Sequence, residues 1–254
     1  MSDSASLLGA GFAVLAGASA QRATGLGFGL VSAPFLTLAL GPHNGVGWAN
    51  LLASCVAGAV LLTSVRNVDW PRAWRLAAGA LLGVIPGILL GRFVPAPVVQ
   101  VIVGGLVLLA LGVVVFTRER KLVAVPGGAW SAGVLSGFMG ASAGVGGPPL
   151  ALYAKSTDWW SVSFVPTAQV VFIVTGVTSV VSRGISMVNW SLTVVMVVGL
   201  AVGLVVGHLI ARRIPETLTL NLALTLAALG SIATIVTGVR GLVCGEPGCF
   251  GAVS

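Results

Sequence analysis

Gly25-Leu26-Gly27-Phe28-Gly29 and Gly144-Val145-Gly146-Gly147-Pro148-Pro149 are two glycine-rich breaks in a chain that is apolar almost throughout. What they mean depends on the medium around them. Hydrophobic residues make up 57% of the chain and charged residues only 7%, against roughly a quarter charged in a soluble domain. Apolar runs long enough to cross a bilayer recur from end to end. The chain therefore reads as one integral membrane domain. In lipid, unwound backbone survives only where protein buries it or where it lines a polar cavity. Two matched breaks, one in each half, point to a ligand site near the bilayer midplane.

The halves are copies. A shift of 120 residues places Val68-Asp69-Trp70 on Val188-Asn189-Trp190, Gly79, Gly83 and Gly87 on Gly199, Gly203 and Gly207, Arg92 on Arg212, and Pro95 on Pro215. A shift of 119 places Gly25 and Gly27 on Gly144 and Gly146. The repeats run over 1–121 and 122–254, joined at Arg118-Glu119-Arg120-Lys121 and Pro126-Gly127-Gly128. Each repeat begins with an apolar stretch up to its break (6–22, 129–142), then a second, shorter one (28–40, 148–157). Three full-length helices follow: 45–65, 72–93 and 97–117, matched by 161–182, 190–211 and 216–238. The fold class is all-α: a polytopic membrane protein whose repeats each hold a broken or re-entrant helical hairpin and three transmembrane helices. Glycines at spacing four (79, 83, 87, 91 and 199, 203, 207) put small residues on one helix face for close packing.

An odd number of crossings per repeat makes the two copies enter from opposite faces, and the loop charges agree. The first repeat carries Arg66, Arg72 and Arg75 in the loop where the second has only Arg183; in the next loop the first has only Arg92, the second Arg212 and Arg213. With basic loops cytoplasmic, 66–75, 118–121, Lys155 and 212–213 lie inside. Loops 41–44, 92–97 and 183–189 lie outside with both termini, which in a bacterial inner membrane means the periplasm. If each break only kinked one long helix, the repeats would be parallel; the charge reversal argues against that.

The net charge of +7 belongs to these loops, where it orients the protein against anionic lipid; nucleic acid is not an expected partner. No basic segment precedes the first apolar run, so no signal peptide is expected. Cys55 reads as a small packing residue within a helix. Cys244 and Cys249 either close a small disulfide loop or remain free thiols. No Cys/His cluster has ligand spacing, and neither metal nor cofactor is expected.

The chemistry follows from the breaks. A helix starting inside the membrane turns its free N–H groups and positive dipole end inward, a ready anion site. Candidate substrate-binding residues are Gly25, Gly27, Gly29, Gly144, Gly146 and Gly147, with Gln21 and Arg22 just before the first break and Ser142 just before the second. Asn50 adds an uncharged hydrogen-bonding group on the helix after break one, Thr167 and Gln169 on its counterpart. Arg22 offers a fixed, planar donor fork for an oxyanion; its repeat counterpart falls near Ala141, so the site is asymmetric. His208 is the candidate for proton coupling, because histidine as a residue type titrates near neutrality. Gly140-Ala141-Ser142-Ala143-Gly144 also fits the G-x-S-x-G pattern of serine hydrolases, with His208 as the only base available to Ser142. That alternative lacks the strand-to-helix elbow, and the chain is not expected to be an enzyme.

Taken together these residues resemble the sulfite exporter TauE/SafE family of bacterial membrane transporters. The resemblance rests on the two glycine-rich stretches, each with proline (Pro34; Pro148), and on the Val68-Asp69 and Val188-Asn189 elements after a basic loop. It covers essentially the whole chain. Phe28 stands where a third consecutive glycine is usual, and Pro148-Pro149 replace a proline usually found further along. The resemblance implies a secondary transporter of small sulfur-containing anions (sulfite, sulfoacetate or other organosulfonates). Alternating access in the inner membrane, export and proton coupling are the expected mode, with an anion channel on the same scaffold as the alternative.

Overall fold

The structure, a computed structural model, describes residues 3–117, 127–159, 162–184, 189–213 and 216–243, and of 3–6, Val114, Thr117, 210–213 and 216–223 the backbone alone. The linker 118–121, the outer part of loop 183–189, the side chains of Arg212 and Arg213, and Cys244 and Cys249 lie outside the described residues.

The described residues are helical, with no strand among them. The helices are α1 (Asp3–Thr24), α2 (Phe28–Ser64), α3 (Trp70–Phe93), α4 (Ala96–Thr117), α5 (Gly128–Ala143), α6 (Gly147–Ser156), α7 (Phe164–Arg183), α8 (Trp190–Arg213) and α9 (Glu216–Val243). Among them six are long and apolar enough to cross a membrane. Large apolar side chains stand on the outer surface, such as Trp74 at 69% exposure and Leu62 at 84%. Lipid is the solvent that makes such exposure stable, so the chain is a multi-pass membrane protein.

The expected stretches 28–40 and 45–65 are both present in α2 as two helical arms, separated at Gly41, whose φ of 77° and ψ of 164° are not helical. Glycine tolerates that left-handed φ without strain, and Pro42 follows, contributing no N–H to the bend. In the second repeat the equivalent pieces, α6 and α7, stay separate helices. Cys55 lies on the exposed face of α2 rather than in its packing.

The Val-Asp element is a helix cap. Asp69 accepts from the backbone N–H of Arg72 at 3.1 Å and pairs with its guanidinium at 3.1 Å, and Pro71 occupies the first turn of α3. Asn189 does the same for α8, accepting from Ser191 N at 3.3 Å. Side-chain oxygens here satisfy N–H groups that a helix start leaves free.

The glycine stripes explain how the helices pack. An added Cβ would lie 2.6 Å from Trp130 O at Gly79 and 2.7 Å from Phe138 O at Gly87, and would collide with Val134 O at Gly83. On the other copy it would lie 2.8 Å from Gly11 O at Gly199, 2.6 Å from Leu15 O at Gly203 and 2.7 Å from Ser19 O at Gly207. Thus α3 packs backbone to backbone on α5, and α8 on α1. Together with α2 on α7 and α4 on α9, these main pairings each join a helix of one repeat to a helix of the other.

Candidate functional site

Both breaks have the same local form. Helix α1 ends where Gly25, at φ 82°, donates its N–H to Gln21 O at 2.7 Å. Helix α5 ends where Gly144, at φ 75°, donates to Gly140 O at 2.9 Å. Such left-handed ends are the usual work of glycine at a helix terminus. Two residues later a new helix starts, α2 behind Gly27 and α6 behind Gly146, neither with a side chain capping its N–H groups.

The packing brings the two breaks together. Gly29 lies directly on the Gly144 carbonyl, leaving no room for a Cβ, and a Cβ on Gly147 would stand 3.1 Å from Leu26 O. Carbonyls at the two breaks accept side-chain donors from across the repeats. Asn50 on α2 donates through Nδ2 to Gly140 O (3.0 Å) and Ser179 Oγ (3.2 Å). Gln169 on α7 donates through Nε2 to Gly25 O (2.9 Å), while its Oε1 accepts from Gln21 Nε2 (2.8 Å). Asn50 and Gln169 occupy matching positions in the repeat, 119 residues apart, so each repeat closes the backbone of the other's break.

Between the breaks is a cavity of about 30 Å³, roughly the volume of one water. Of the residues singled out in the sequence, Gln21, Gly29, Asn50, Gly144, Gly146 and Gly147 line it. Leu26, Leu30 and Phe172 supply apolar walls. Thr175 of α7 also lines it, and its buried hydroxyl has no partner among the described residues. The sequence reading missed Thr175, because one threonine on an apolar helix carries no signal of which way it faces. The two helix starts are unequal donors. Helix α2 begins with Phe28, Gly29 and Leu30, all with free N–H groups, whereas in α6 the residues after Gly147 are Pro148 and Pro149, which have none.

The other sequence candidates lie outside this lining. Gly25 and Gly27 form the first turn-out itself, packed on Val165 and Ala20. Gln169 stands behind Gly25. Thr167 donates to Ser163 O at 2.6 Å and accepts from Asp69 N at 3.0 Å, anchoring the start of α3. Ser142 donates to Phe138 O at 2.6 Å. His208 belongs to a different cluster: its Nδ1 is 3.3 Å from Arg22 Nη2.

Arg22 thus lies against α8. Its place in the second repeat is Ala141, and there the structure supplies an arginine from elsewhere: Arg183, at the end of α7, donates through Nη2 to Ala141 O and to Gly87 O at 3.1 Å. Gly207 meets Arg22 as Gly87 meets Ala141. A guanidinium therefore stands at the turn preceding each break, one from α1 and one from α7. No sequence alignment of the repeats could find the second, because it comes from a non-equivalent position.

The family described as Sulfite exporter TauE/SafE matches the chain over residues 9–233. No curated protein and no solved structure matches it.

Proposed function

The chain belongs to the sulfite exporter TauE/SafE family, and from that premise we propose that it is a secondary transporter of small sulfur oxyanions, sulfite or an organosulfonate head group, bound between the two breaks. The observation that carries the reading is the contact itself: two helix interruptions, one from each half of the sequence, meet around one cavity. The uncapped start of α2 supplies N–H donors and a positive dipole end, and Thr175 supplies a hydroxyl with no other partner. Gln21 adds an amide, and apolar walls keep water out.

A cavity the size of one water does not admit a sulfite. Helices α2 and α7, which pack on each other beside it, have to part for binding, and doing so toward one face at a time is alternating access. In this reading the membrane is the bacterial inner membrane, the repeats are inverted with both termini periplasmic, and transport is export coupled to protons. The coupling has a physical handle in Arg22 and His208. Arginine only donates, so His208 Nδ1 has to accept; a proton there would set two cations side by side and separate α1 from α8.

The test is sulfite flux in proteoliposomes. The expected result is saturable flux that a proton gradient drives uphill. Flux that never saturates and runs only down its own gradient would make the protein a channel, and absence of sulfite or sulfonate flux would overturn the substrate.

A further inference from the structure

A second cavity lies apart from the break. It measures about 230 Å³ and is lined by His43 at the bend of α2, Ile88 and Arg92 on α3, and Ser182 and Arg183 at the end of α7. That is room for roughly seven waters, against one in the break cavity. We propose that this cavity is a separate binding site for a small oxyanion, a vestibule through which anions reach the break. The binding site stands on its own residues; its service as a vestibule to the break rests on the transport reading.

Three observations carry it. The first is charge without compensation. Two arginines face one space, with His43 beside them as a neutral polar group, and none of the described lining residues is acidic. The only salt bridge among the described residues is Arg72 with Asp69, and positions 185–188, next in the chain, are Ile-Ser-Met-Val. Arg183 is half-buried with no counter-charge beside it among the described residues, which carries a desolvation cost that a bound anion offsets. The second is an unused donor. Arg183 spends Nη2 on the carbonyls of Ala141 and Gly87, while its buried Nε has no partner among the described residues. The two carbonyl bonds fix the guanidinium at the cavity wall, so that its charge is held in place for an oxyanion. The third is position. Ala141 O, which holds Arg183, is one residue from Gly140, which lines the break cavity. The two cavities therefore flank the last turn of α5. The larger one is bordered by the exposed Arg92, His43 and Ser182.

The ligand chemistry is a tetrahedral or pyramidal oxyanion with two or three oxygens free. A dissolved sulfite or sulfate meets it, and so does the phosphate of an anionic lipid. Purified full-length protein in discs of phosphatidylcholine, titrated calorimetrically with sodium sulfate, tests the proposal. Binding is expected to weaken about tenfold in Arg92→Gln, from the loss of one charge-assisted contact, and less in Arg92→Lys. It is expected to weaken further in Arg183→Lys, which keeps the charge and loses the paired carbonyl bonds that fix its position. Arg92 and His43 are exposed, so Arg92→Gln and His43→Gln report on binding without the folding risk of a change at Arg183. Discs that also contain phosphatidylglycerol separate the sources: a sulfate affinity lowered there, and restored by Arg92→Gln to no lipid dependence, assigns the site to lipid phosphate; an unchanged affinity assigns it to the dissolved anion. No sulfate binding in phosphatidylcholine, or equal binding in the parent, Arg92→Gln and His43→Gln, overturns the vestibule. Because the titration needs no flux, the binding site and the transport reading fail separately.

Discussion

Gln169 and Thr175 lie on the same helix and answer to different demands. Gln169 is fully engaged, bridging Gln21 to the carbonyl of Gly25. Thr175 offers a buried hydroxyl to the cavity and bonds nothing in the described structure. Their substitutions should therefore separate stability from binding. Gln169→Leu strands a buried carbonyl and a buried amide, each costing about 1–3 kcal/mol, and should lower the unfolding temperature of the detergent-purified protein clearly. Thr175→Val keeps the shape and removes an unpaired group, so the unfolding temperature should hold or rise, while sulfite affinity falls by about tenfold or more through the loss of one hydrogen bond to a charged ligand. Equal destabilisation by the two, with sulfite affinity untouched, would show that Thr175 is structural. The sequence contained Gln169 legibly, since a glutamine deep in an apolar helix needs a partner. Thr175 was illegible for the opposite reason: hydroxyls can bond their own helix, so their presence alone requires nothing.

Helices were legible where glycine, proline and charge punctuate the apolar runs. The expected 72–93 and 97–117 appear as 70–93 and 96–117, because Asp69, Pro71 and Pro97 mark the ends chemically. The break in α2 was legible for the same reason: Gly41-Pro42 reads as a turn between two helices, and the helical backbone is interrupted at Gly41. The glycine stripes were readable as packing faces, but their partners were not, because spacing of four says how close a neighbour comes and not which neighbour. The structure gives α5 to α3 and α1 to α8, and that makes a prediction about elements. Gly83→Val should force α3 off the Val134 carbonyl, and Gly203→Val should force α8 off the Leu15 carbonyl. Overpacking of this kind costs about 1–3 kcal/mol even when side chains can give way, and a backbone carbonyl gives way less. Both variants should lose monodispersity at lower temperature than the parent, and by similar amounts. Gly105→Ala is the control: nothing lies within 4 Å of its added Cβ, and alanine is the better helix former, so it should be neutral or stabilising. A tolerated Gly83→Val beside a harmful Gly105→Ala would mean that α3 and α5 are not in contact in the membrane.

At the scale of the molecule, the pairings have a pattern that no single helix shows. The first helix of each repeat packs on a later helix of the other, α1 on α8 and α5 on α3, while α2 meets α7 and α4 meets α9. Exchanging the repeats leaves this list unchanged. The same exchange relates the two basic clusters: Arg22 and His208 beside α8, Arg183 and Arg92 beside α3. His208 takes the repeat position of Ile88, and Arg22 that of Ala141. If the repeats are inverted, as the reversal of loop charge predicts, these clusters belong to opposite faces of the membrane, and an anion crossing between the breaks passes one on entry and the other on exit. If the repeats are parallel, both clusters serve one face and the path has a single charged mouth. Single cysteines decide the matter in a background without Cys55, Cys244 and Cys249. Asn67→Cys and Ser191→Cys fall at exposed, nearly equivalent points of the two repeats, before α3 and at the start of α8. A membrane-impermeant maleimide should label Ser191→Cys on intact cells, and Asn67→Cys only in inside-out vesicles. Labelling of both from the same side would make the repeats parallel, and would leave the reversal of loop charge, Arg66, Arg72 and Arg75 in one copy against Arg212 and Arg213 in the other, without a topological cause.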